Sequence, residues 1–179
     1  LTLTNSTISG NTAGANGGGI YNYSTLTLTN STVSGNTAPV SGAGIYNFSA
    51  TLTLTNSTVS GNTSGSDGGG IYNSSHSYTL ATITNSTIAN NSAGSGSGGG
   101  IARAGSTSNF VNLKNTIVAN STSGGNCLGT MTSNGNNLDS GTTCALAGSG
   151  ALTSTNPLLG PLALNAPGTT QTHALLAGS

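Results

Sequence analysis

Apart from five tyrosines, only eight side chains of this 179-residue chain can take part in acid–base, metal-binding or redox chemistry. They are Asp67, Asp139, His76, His173, Arg103, Lys114, Cys127 and Cys144. Glycoside hydrolysis needs two carboxylates held close together, and Asp67 and Asp139 are the whole supply. Neither His76 nor His173 has a carboxylate or a cysteine close in sequence, so surface or tail-packing roles are expected for both. The stretch GSGSGG at 94–99 matches G-x-G-x-x-G in form, but no helical pattern follows it, so it is not read as a phosphate loop. Cys127 and Cys144 lie 17 positions apart, without the C-x-x-C spacing of a zinc site. They read best as one disulfide, which implies an oxidising compartment. The sequence therefore assigns no catalytic residue, no cofactor and no metal site.

The elements that position these residues come from a repeat. LTLTNSTISGNTAGANGGGIYN at the start returns as LTLTNSTVSGNTAPVSGAGIYN and LTLTNSTVSGNTSGSDGGGIYN. Aligning the units places Asn5, Asn30, Asn56, Asn85 and Asn115 in one column, with steps of 25, 26, 29 and 30. Ile8, Val33, Val59, Ile88 and Val118 form a second column, and Ile20, Ile45, Ile71 and Ile101 a third. Repeats of this length call for a solenoid. Within LTLT the leucines share one face and the threonines the other, which is the period of a strand. Thr, Ile and Val favour strands, and Gly and Asn supply the positive φ of sharp corners. Each unit is thus one coil with strands at LTLTN, near STISGN and at GIYN. Inserted residues around SSHSY and ARAGSTSNF fall on one loop edge, as insertions in a solenoid should.

The expected fold is all-β: a right-handed parallel β-helix of about five coils over residues 1–125, then a disulfide-stapled cap over 126–179 that continues the solenoid. Asp67 and Asp139 then stand at least roughly 10 Å apart along the axis, which rules out a carboxylate pair. Charged residues are 2 % of the chain and the net charge is zero. Nothing there attracts nucleic acid or an anionic membrane, and no apolar run is long enough for a membrane-spanning helix. The chain begins in mid-pattern at Leu1 and is read as a mature product or a fragment, with any secretion signal outside it. A charge repeated in every coil would stack at about 4.8 Å and repel, which accounts for polar uncharged repeats.

Three features repeat from coil to coil, and two of them, the threonines and the tyrosines, face outward. Stacked Asn side chains can hydrogen-bond along a ladder. The asparagines also make ten N-x-Ser/Thr sequons, so glycosylation at Asn5, Asn22, Asn30 or Asn47 is the other reading. The pairs Thr2/Thr4, Thr27/Thr29, Thr53/Thr55 and Thr82/Thr84 are either ordinary outward strand residues or an array like an ice-binding surface. Tyr21, Tyr46 and Tyr72, with Tyr23 and Phe48 nearby, either stack for stability or form an interaction stripe for sugars or protein.

The repeat NSTISGN…GGGIYN resembles the coil of secreted bacterial right-handed parallel β-helix proteins of the pectate-lyase-like superfamily. NCLG…NGNNLDSGTTC, followed by NPLLGPLALNAPGTTQTHALLAGS, resembles the end of surface proteins with a choice-of-anchor segment. The resemblance implies an extracellular or cell-surface location and carries over no catalytic residue. Lyase chemistry of the pectate type would imply several acidic calcium ligands and a basic residue, which two carboxylates cannot provide. The expected function is a non-catalytic structural subunit that self-associates head to tail, the apolar tail of one copy covering the first coil of the next. The alternatives are an adhesin that binds glycans through the tyrosines and, less favoured, ice binding.

Overall fold

A computed structural model describes residues 1–75 and 78–179, and His76 lies outside the described residues. Every element among them is a β-strand. The coils wind through three long faces, named here by their residues. The leucine face has six strands, from Thr2–Thr4 to Thr132–Ser133. The valine face also has six, from Thr7–Ser9 to Leu138–Asp139. The tyrosine face has five, from Ile20–Asn22 to Cys127–Leu128. Three short strands, Thr37–Ala38, Thr63–Ser64 and Ser92–Ala93, line the corner between the valine and tyrosine faces.

All pairings between coils are parallel and keep the columns in register. Leu28 pairs with Leu54, Leu54 with Ile83 and Ile83 with Leu113. Val33 pairs with Val59, Val59 with Ile88 and Ile88 with Val118. These side chains point inward and are completely or almost completely buried, each contributing about 1.5–3 kcal/mol by removal from water. The all-β parallel solenoid of about five coils is therefore the fold, as the period of two and the recurring columns predict.

The ladders do not stop at residue 125. Cys127 pairs with Ile101, Thr132 with Asn112, and Leu138 with Ile117. A sixth, shorter turn follows, in which Asn136 continues the corner column and donates to Asn115 at 3.2 Å. Cys127 occupies the isoleucine column and Asp139 pairs with Val118, so Asp139 takes the sixth inward place of the valine column. Cys127 and Cys144 are bonded, with Cα atoms 4.7 Å apart, and both are buried.

The tail forms an antiparallel hairpin, Leu159–Leu164 against Gln171–Leu175. The sequence reading places this tail on the first coil of a neighbouring copy. In the structure the tail lies across the valine face of coils two and three of its own chain. The Thr32 hydroxyl donates to Gln171 O at 2.7 Å, and the Thr170 hydroxyl donates to Asn30 O at 3.0 Å. Thr32, Ser34, Thr58 and Ser60 are buried, whereas Thr7 and Ser9 on the first coil are exposed. The docking is polar: Thr32 of the valine face donates to the hairpin backbone, Ser60 meets the His173 ring, and Thr170 of the hairpin donates back to the coil.

Candidate functional site

The candidate catalytic groups do not converge. Asp67 sits in the glycine corner of the third coil, where its Oδ1 accepts from the Ser97 backbone N–H at 2.8 Å. Asp139 is fully buried at the far end of the core. Its Oδ1 accepts from Asn126 Nδ2 at 2.6 Å and from Gly141 N–H at 2.9 Å, and its Oδ2 accepts from Cys144 N–H at 2.9 Å. Asp139 thus organises the stapled cap, a role the sequence did not signal. His173 is a latch for the hairpin. Gly160 O can only accept, so Nδ1 carries a proton and donates to it at 2.7 Å, while Nε2 shares a hydrogen bond with the Ser60 hydroxyl at 2.8 Å. No group of three or more His, Cys, Asp or Glu residues that could hold a metal exists among the described residues.

The asparagines divide by column, and here the structure corrects the expectation. Asn5, Asn30, Asn56, Asn85 and Asn115 are corner residues with φ of 48–51°. Their side chains are exposed and join only partly, with Asn56 Nδ2 donating to Asn30 Oδ1 at 3.3 Å and Asn115 Nδ2 to Asn85 Oδ1 at 2.9 Å. The continuous ladders run inside, in two other columns. Asn11 donates to Asn36, Asn36 to Asn62 and Asn62 to Asn91 through Nδ2 and Oδ1, at 2.9–3.0 Å. Asn22 donates to Asn47 at 2.6 Å and Asn47 to Asn73 at 2.7 Å. Of the candidate glycosylation positions, Asn22 and Asn47 have buried side chains whose amide nitrogens are engaged in this ladder, so a sugar on either would require these rungs to open. Asn5 and Asn30 remain exposed.

Glycines make room for the longer ladder. A Cβ on Gly44 would run into Gly70 O and stand 3.0 Å from Asn62 Nδ2. The recurring glycine before Ile is therefore a requirement of close approach between the ladder and the corner backbone.

On the tyrosine face Tyr21, Tyr46 and Tyr72 align in register. Ring centroids are 4.7 Å apart for Tyr21 and Tyr46, and 5.2 Å for Tyr46 and Tyr72, whose planes differ by only 9°. Tyr23 and Phe48 form a second column beside them, edge to face at 5.5 Å. The stripe ends where Ala102 takes the next place. Because Tyr46 and Tyr72 lie face on face, they turn edges and hydroxyls outward. Partial burial, then the hydrogen bond with Tyr23 and the fields of Tyr23 and Tyr46, push the Tyr21 hydroxyl up to about 12. Burial, then Tyr72 and Tyr23, also raise Tyr46. A neutral stripe is thus favoured by folding. That contribution is complete below pH 10 and is lost as pH rises through about 12. Ultraviolet titration should show a late tyrosinate phase in the folded protein, and Tyr21→Phe should reduce its amplitude, leaving the part that belongs to Tyr46. A wild-type titration complete near pH 10 would contradict this.

The threonines of the leucine face also align. Thr27 pairs with Thr53 and Thr53 with Thr82, and the pattern ends at Asn112 and Lys114.

Residues 5–23 and 56–74 match the model of the Chlamydia polymorphic membrane protein repeat. Each matched stretch runs from a corner asparagine, through a ladder asparagine and the glycine corner, to a stripe tyrosine. No curated protein and no solved structure matches the chain. A repeat of the β-helix type thus describes coils one and three of this chain.

Proposed function

We propose that the chain is a non-catalytic, surface-exposed β-solenoid with a structural role outside the cell. The observation that carries this reading is the use of its polar groups. The two buried asparagine ladders, Asp139 and His173 all spend their hydrogen bonds inside the fold, rung to rung, onto backbone or onto neighbouring side chains, and none is presented to a substrate. The repeat match to a membrane-protein family of Chlamydia supports a surface location, and the disulfide fits an oxidising compartment. A filament is the finer form of the reading, with copies joined along the axis by continued strand pairing rather than by the hairpin. Antibodies against the folded chain should label intact cells of the source organism without permeabilisation. Labelling that requires permeabilisation, together with free thiols at Cys127 and Cys144 in the extracted protein, would sink the proposal.

An adhesive role is the second reading, favoured by the exposure of Tyr21 at 44 % and Tyr23 at 62 %. The stacking of the rings suits hydrogen bonding by hydroxyls better than stacking of a sugar on a ring face.

A further inference from the structure

A recess lies between the corner asparagines and the hairpin turn. It is a cleft of about 380 Å³, lined on one wall by Asn5, Asn30 and Asn56 and on the other by Pro167, Thr169 and Thr172. The sequence marks Asn5 and Asn30 only as possible glycosylation positions and does not bring them together with the hairpin, which comes from more than a hundred residues away.

Its chemistry is specific. The three amides come from successive coils, so they repeat at about 4.8 Å along the axis. Positive φ at each, 49, 49 and 50°, turns the backbone at the corner and leaves the side chain outside the core. Only Asn56 Nδ2 and Asn30 Oδ1 are paired with each other, at 3.3 Å. The Asn5 amide, Asn30 Nδ2 and Asn56 Oδ1 are left to the cleft, giving both donors and acceptors on one wall. The opposite wall adds the exposed Thr169 hydroxyl and the ring of Pro167, an apolar surface. No charged side chain lines either wall.

The geometry points to a binding site for a neutral glycan chain lying parallel to the solenoid axis. A pyranose has a rim of hydroxyls, each both donor and acceptor, and faces of C–H bonds. The rim suits the amide wall and a C–H face suits proline. An extended glycan advances by close to one coil spacing per sugar, so successive sugars meet successive asparagines. The absence of cations selects against uronates, sulfated sugars and phosphates, whose charge would lose its hydration without a partner. This site goes beyond the structural role and does not depend on it.

The test is calorimetric titration of the full chain, produced in a bacterial periplasm so that Asn5 and Asn30 carry no sugar. The probes are β-1,4-linked glucose and mannose oligosaccharides of three to six units, with oligogalacturonate as the charged comparison. Saturable binding of a neutral oligosaccharide at millimolar concentration or below is expected, with none to oligogalacturonate. Asn30→Gly and Asn56→Gly remove the amide but tolerate the positive φ, and each should weaken binding at least tenfold without lowering Tm. Asn85→Gly lies on the same column outside the cleft and should leave affinity unchanged. Three results would overturn the site: no saturable binding to any neutral probe, equal affinity in Asn30→Gly, or equal binding of oligogalacturonate. Peptide mapping of native protein that found hexose attached to Asn5 or Asn30 would also overturn it, since the amides would then be attachment points.

Discussion

Asn62→Ala is expected to lower the unfolding free energy by about 2–6 kcal/mol, from two buried donors left without partners at ~1–3 kcal/mol each. Those donors are the Asn36 backbone N–H and one proton of the Asn36 amide, both bonded to Asn62 Oδ1 at 2.9 Å, while the Val33 carbonyl loses a bond from Asn62 Nδ2 at 3.1 Å but stays in the strand ladder. Asn62 is completely buried, so water cannot take its place. A loss of this size is a large part of the ~5–15 kcal/mol that holds an ordinary domain. Asn62→Asp should be at least as damaging. It keeps the shape but turns a carboxylate toward Val33 O and Asn91 Oδ1, both acceptors. Asn56→Gly, on the exposed corner column, should change stability little, because water replaces its single side-chain bond. Chemical denaturation followed by circular dichroism measures all three. A loss under about 1 kcal/mol for Asn62→Ala, the size of an ordinary exchangeable hydrogen bond, would show that the inner ladder is not what secures the coils.

That contrast between Asn62 and Asn56 also marks where the sequence is legible. The recurring Leu, Val and Ile columns identify the strands and their register, because apolar residues at period two have one favourable side to face. The same pattern is silent about which polar residues face inward. Asn5, Asn11 and Asn22 each begin a recurring column, and nothing in their spacing separates a corner residue from a buried rung. The separation comes from the glycine corner, whose missing side chains let Asn36, Asn62 and Asn91 approach the backbone. The aromatic stripe is visible as one tyrosine per coil, but the near-parallel stacking of Tyr46 on Tyr72 is a property of the rotamers. The hairpin is harder still. Its leucines suggest an apolar contact, yet Leu164, Leu175 and Leu176 stay exposed and the hydrogen bonds that dock it are polar. The cleft depends on that docking and so is invisible in the chain alone.

The second large effect concerns the end of the core, where the valine column terminates in a carboxylate instead of an aliphatic side chain. Asp139→Ala is expected to cost about 4 kcal/mol, because Asn126 Nδ2, Gly141 N–H and Cys144 N–H all donate to it, and bonds to a charged group are worth ~1.5–3 kcal/mol each before relaxation. Replacing Cys127 and Cys144 by serine should cost about 3 kcal/mol on the chain-entropy account of a loop of this length. These losses should not add. The carboxylate holds the Cys144 backbone and the disulfide holds its side chain, so either change releases the same segment. The triple variant should therefore lose less than the sum. The damage should also be local, since each coil of a solenoid is stabilised by its neighbours. Hydrogen exchange should show protection lost over residues 138–152 while Asn36, Asn62 and Asn91 keep theirs. Simple additivity of the two changes would mean that Asp139 and the disulfide secure different parts of the fold. Unprotected amides throughout the upper coils would mean that the carboxylate supports the whole solenoid rather than its end.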